Sequence, residues 1–115
     1  MVSMKKTHKH KPKLWISLLE IHNQSKDKRI KYKKGFTNGV VMAVSKRDAI
    51  DKFRKSLLDM GYKLIYEEDT EEFDKRCLKF SVAKEVQNAA FAARRKRIPQ
   101  FSTFCLYRDK RRIKS

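Results

Sequence analysis

The sequence predicts an α+β protein, a two-layer α/β sandwich with two helices on one face of a four-stranded sheet, in the order ββαβαβ. Three observations predict it. Residues 36–68 read as strand, helix and strand, with a cap, a period and a stop that agree. A second apolar period at helical spacing follows over residues 82–93. Two further runs, 14–22 and 101–107, alternate as strands do.

The first strand is Leu14 to His22. Leu14, Ile16 and Leu18 lie on one face and Trp15, Leu19 and Ile21 on the other, which suits an interior place in the sheet. Residues 23–35 set Lys26, Lys28, Arg29, Lys31, Lys33 and Lys34 against a single acid, Asp27, with Ile30 and Tyr32 as the sizeable apolar members. This reads as a long hairpin connection, either disordered or a basic binding finger.

Phe36 to Val44 is apolar and rich in β-branched residues, as a buried strand is. Ser45 stands where a helix N-cap belongs, with Asp48 three residues on to favour the positive end of the dipole. Ala49, Ile50, Phe53, Leu57 and Met60 recur at spacings of three and four, so they share a helical face. Gly61 is placed to end the helix in the left-handed region, and Tyr62 to Tyr66 returns as a strand.

Six acids then fall within eight residues: Glu67, Glu68, Asp69, Glu71, Glu72 and Asp74. Thr70 is expected to cap a short helical turn carrying Glu71 and Glu72, with Phe73 folded onto the core. Ser81 to Glu85 resembles a helix start. Val82, Val86, Ala89, Ala90 and Ala93 make a narrow face for close packing on a sheet. Arg94, Arg95, Lys96 and Arg97 suit the negative end of that helix, and Pro99 prevents its continuation. Phe101 to Tyr107 alternates as the last strand. Strand–helix–strand units cross over right-handedly, which places both helices on one side of the sheet. Val41, Ala49, Ile50, Phe53, Leu57, Leu64, Phe101 and Phe104 are the expected core.

A length of 115 residues allows one domain, assigned to 14–108, with a flexible basic arm at 1–13 and a basic tail at 109–115. The arm holds Lys5, Lys6, Lys9, Lys11 and Lys13 with His8, His10 and Pro12. Followed by Leu14 to Leu19, it faintly imitates a secretory leader. Glu20 interrupts the apolar run, however, and no small-residue cleavage site follows. Two distant cysteines, Cys77 and Cys105, make neither a disulfide framework nor a zinc ribbon. Reduced thiols in the cytoplasm are expected, with Cys105 a small buried hydrophobe.

Charged residues make up 37% of the chain and its net charge is +17. That far exceeds what solubility asks and points to an anionic partner. Residues 1–35 carry 11 bases and 2 acids, residues 36–74 carry 6 and 9, and residues 75–115 carry 13 and 2. The positive field therefore belongs to the arm, the hairpin connection, the end of the second helix and the tail, which could converge on one rim. The expected function is a small nucleic-acid-binding protein with little sequence specificity, RNA or single strands ahead of duplex DNA, and without catalysis. Arg29, Lys31, Lys33, Lys34, Arg94, Arg95, Lys96, Arg97, Arg111 and Arg112 are the phosphate candidates, and Tyr32 and Tyr107 the stacking candidates. No RNP1 motif, GXXG loop or zinc-finger spacing is present, so sequence-reading modules are not supported.

Two alternatives belong to other classes. Glu67, Glu68, Asp69, Glu71, Glu72 and Asp74 could form a protein-interaction or inhibitor surface directed at a nucleic-acid enzyme. A nuclease built on His22 or on a carboxylate pair is less favoured, because no second group is fixed beside either. His8 and His10 lack partners for a metal at fixed geometry. No phosphate loop, dinucleotide motif or nucleophile signature occurs, so no cofactor is expected. The arm lacks the interleaved apolar residues of a membrane anchor, and no membrane partner is expected.

Overall fold

Two runs that are apolar on both faces make the middle of the sheet. β1 (Lys13–Asn23) and β2 (Lys34–Ala43) pair antiparallel, from Lys13 opposite Ala43 to His22 opposite Lys34. The structure is a computed structural model and describes residues 11–24, 26 and 33–107. The arm before Lys11, most of the hairpin connection and the tail, with Arg29, Lys31, Tyr32, Arg111 and Arg112, lie outside the described residues.

α1 (Lys46–Asp59) follows β2 and is capped as its sequence predicts. The Asp48 amide donates to the Ser45 hydroxyl at 3.1 Å, and the Val44 amide donates to the Asp48 carboxylate at 3.0 Å. Between them the two side chains satisfy the amides of Asp48 and of Val44, the residue just before the cap. Gly61, with φ of +90°, lies just past the helix, where a side chain would be strained. β3 (Tyr62–Glu72) then pairs antiparallel with the other side of β1. α2 (Phe73–Lys79) and α3 (Lys84–Lys96) come next. β4 (Gln100–Phe101) and β5 (Cys105–Tyr107) both line the free side of β2. The sheet is antiparallel, with β3, β1, β2 and β4 side by side and β5 also on β2. The fold is α+β, with five strands and three helices among the described residues rather than four and two.

The helices do not share one face. Leu19, Ile21, Val41, Ala43 and Leu64 pack with Ala49, Phe53 and Leu57 of α1. Leu14, Ile16 and Val40 pack instead with Phe73 of α2 and Val86, Ala90 and Ala93 of α3. Within β1 and β2 these sets alternate residue by residue, so they occupy opposite faces. The expected single helical layer fails because right-handed crossover governs parallel strands only. β2 and β3 are both antiparallel to β1 and so parallel to each other, which brings the α1 crossover under the rule. β4 is antiparallel to β2 and hence to β3, so nothing ties α3 to the face of α1.

Gly39 lets α1 come close to the sheet: a Cβ there would stand 2.7 Å from Leu19 Cδ1 and 2.8 Å from Phe53 Cε1. Phe53 fills that hollow, fully buried, with Phe101 tilted against it at 6.1 Å between ring centroids. Ile50, Phe101 and Phe104 are only half-buried, at the margin of this cluster, and Met60 at the helix end is exposed.

Three other local expectations are corrected. The acids do not start a helix; they continue β3 as far as Glu72, and Phe73 opens α2 with its ring buried as expected. Thr70 caps nothing. Its hydroxyl lies 2.8 Å from that of Ser17, across a bulge where Asp69 takes φ of +51°. The last strand is broken. Residues 102–104 insert one extra residue against β2, and the Ser102 hydroxyl accepts from the Asn38 amide at 3.1 Å in the gap. Cys105 emerges exposed rather than buried, beyond the first turn of α3 on the face that helix covers.

Candidate nucleic-acid interface

The basic candidates separate along the sheet. Lys33 and Lys34 lie where β2 begins, with Tyr107 opposite Lys34. Arg94 to Arg97 end α3 near the other extremity of β2, where Arg94 pairs with Asp74 at 3.4 Å. Ten residues of strand separate the groups, about 30 Å at the usual rise. They do not converge on one rim.

Nor are the four bases of the α3 terminus equivalent. Arg94 pairs at the surface with Asp74 and lies 5.9 Å from the centroid of the buried Phe73 ring, so it fastens α3 to α2. Arg95 lies over the exposed ring of Phe91, at 5.6 Å. Lys96 and Arg97 are exposed, and among the described residues no acid lies within ion-pair distance of either. Arg97 closes the helix in the left-handed region, with φ of 60°, and its amide bonds to the Ala93 carbonyl at 2.9 Å.

The acids run along the opposite edge of the sheet, where half of them are neutralised within the chain. Glu71 accepts from Arg76 and pairs with Lys79 at 2.8 Å. Those hydrogen bonds, Lys79's before Arg76's, hold its carboxyl below the ordinary value of 4.5. Glu72 lies 3.8 Å from Lys13 and 3.9 Å from Lys75, and Asp74 has Arg94. Glu67, Glu68 and Asp69 have no such partner among the described residues. A row of acids and a bulge on an edge strand blocks pairing with another sheet, which is a structural reason for their presence.

The remaining titratable groups do not assemble. The His22 Nδ1 lies 3.4 Å from the Gln24 amide nitrogen, and its strand neighbours are Lys34 and Lys63. Glu85 accepts from the Thr103 amide, tying α3 to the bulged link. Bonds from Thr103, its hydroxyl first, keep that carboxyl low. Among the described residues no three His, Cys, Asp or Glu side chains gather to hold a metal, and no helix is long and apolar enough to cross a membrane.

Sequence reasoning missed the bases of α1: Lys46, Arg47, Lys52, Arg54 and Lys55. Counting charge over 36–74 merged this basic helix with the acidic strand after it and returned a mildly negative average. The helical period was the usable signal, because it sets these residues apart from the apolar Ala49, Phe53 and Leu57. Lys52 is partly committed, donating to the Met42 carbonyl at 3.0 Å, on the side of β2 that β4 leaves uncovered, and pairing with Asp48 at 3.3 Å. Lys55 is exposed and without an acid partner among the described residues. No protein-family model matches the chain, and neither does any curated protein or solved structure.

Proposed function

We propose that this protein binds nucleic acid through its phosphates, with little sequence preference and with RNA or single strands favoured over duplex DNA. One observation carries the reading. Lys55, Lys96 and Arg97, bases without acid partners among the described residues, lie on the β4 side of the sheet, while half of the acids on the β3 side are paired within the chain. A surface with uncompensated cations beside an exposed arginine–aromatic pair, Arg95 on Phe91, suits a polyanion with stackable bases. Lys33, Lys34 and Tyr107 offer a second point of attachment at the far end of β2. The cytoplasm suits its two free, exposed thiols.

Gel-shift titrations across salt, on RNA, single-stranded DNA and duplex DNA, test this. Neutralising four to six phosphates gives a slope of log affinity against log salt of about −3 to −5. Replacing Arg95 and Lys96 together by Ala weakens every sequence alike and flattens the slope by about 1.4 to 1.8. Absence of any shift at near-physiological salt would falsify the reading.

A protein-interaction surface on β3 is the second reading, favoured by Glu67, Glu68 and Asp69, which have no ion-pair partner among the described residues. With Glu71, Glu72 and Asp74 engaged internally, it offers a partner half of the acids its sequence suggests.

A further inference from the structure

Between α1 and the link that leaves α3 lies a groove of about 370 Å³, lined by Lys52, Lys55, Ser56 and Asp59 on one wall and Arg97, Ile98 and Pro99 on the other. Its chemistry is graded. Lys55 and Arg97 supply two cations from opposite walls, neither with an acid partner among the described residues, and Ser56 adds a hydroxyl to the α1 wall. Ile98 is 55% exposed beside Pro99, an apolar shelf with nothing of this chain's described residues over it. Asp59 is the single carboxylate. Its volume falls in the range of small-ligand sites.

We infer that this groove seats one ribonucleotide unit of a single RNA strand, a proposal that rests on the nucleic-acid reading and gives it a location. The phosphate lies between Lys55 and Arg97, where two cations on facing walls match a doubly accepting anion. The sugar and base rest against Ile98 and Pro99, excluding water from an apolar surface that is otherwise wet. Asp59 repels phosphate, so its compatible role toward a bound nucleotide is to accept a hydrogen bond. The 2′-hydroxyl is the donor that RNA has and DNA lacks. A groove made only of cations would hold any polyanion equally; the carboxylate is what lets this one prefer RNA. The bases at the end of α3 continue the track for the neighbouring phosphates.

Fluorescence anisotropy with a labelled single-stranded RNA and the DNA of the same sequence tests the proposal on the full chain. The unaltered protein binds the RNA more tightly. Lys55→Ala weakens both strands and flattens the salt slope by about 0.7, the value for one lost contact to a single strand. Ile98→Ser weakens both strands without changing the slope, because it removes an apolar contact and no charge. Asp59→Ala, which removes the acceptor altogether, lowers the RNA-to-DNA affinity ratio. All three positions are exposed, and circular dichroism confirms that each variant keeps the fold. If both strands bind but neither responds to Lys55→Ala or Ile98→Ser, the groove is not the site, although nucleic-acid binding survives through Arg95 and Lys96. Equal binding of RNA and DNA by the unaltered protein overturns the part assigned to Asp59. Failure of both strands to bind overturns the groove and the function together.

Discussion

At the scale of single residues, Phe53 has the most to lose. It is fully buried in the hollow over Gly39, between Leu19 of the sheet and Phe101 of β4, so truncation leaves a cavity that the backbone cannot close. Phe53→Ala should cost about 3 to 5 kcal/mol, measured by urea denaturation with an unchanged m-value. Glu71 makes a different kind of contribution. Lys79 and Arg76 lower its pKa in the folded protein, so the stabilisation is fully present above the ordinary carboxylate value of 4.5. It is lost as pH falls through the lower folded value. Glu71→Gln should therefore destabilise by about 1 kcal/mol at pH 7, the upper range for a partly exposed ion pair. The difference should shrink below pH 4.5 and vanish at more acid pH in parallel denaturation series. A difference that stays constant down to pH 3 would show that the loss comes from packing instead of charge.

At the scale of elements, legibility followed locality. α1 could be read from end to end because its signals lie within its own stretch: Ser45 and Asp48 at one terminus, Gly61 at the other, and the period of Ala49, Phe53 and Leu57 between. β1 and β2 were equally plain, each alternating with apolar residues on both faces. What stayed hidden depends on partners distant in sequence. The acids read as a helical turn because isolated strands disfavour them. They are tolerated because β3 is an edge, which depends on where β1 pairs. The break at 102–104 depends on Ser102 replacing a backbone group opposite Asn38, and no local pattern announces that exchange. The candidate site was partly visible: Arg95, Lys96 and Arg97 stood out as a run, whereas Lys55 was lost in a basic helix whose charge the acids of β3 offset. Arg94 misled, since its partners Asp74 and Phe73 lie about twenty residues back.

At the scale of the whole molecule, the charge has a direction. Among the described residues, acids without partners line the β3 edge and bases without partners line the β4 edge, with β1 and β2 between them. Three strand spacings separate these edges, about 14 Å. Two unit charges that far apart in water interact by about 0.3 kcal/mol, so Glu67 and Glu68 together oppose a phosphate held at the β4 edge by about 0.6 kcal/mol. Screening decides when that matters. The Debye length is about 30 Å at 0.01 M salt, longer than the separation, and about 8 Å at 0.15 M, well short of it. Glu67→Gln combined with Glu68→Gln should therefore tighten RNA binding about twofold at 0.01 M, with most of the gain lost at 0.15 M. The same anisotropy titrations at the two salts measure both values. An equal gain at both would place the acids beside the bound strand, contrary to a site on the β4 edge. A loss of affinity would mean that the acidic edge itself takes part in binding.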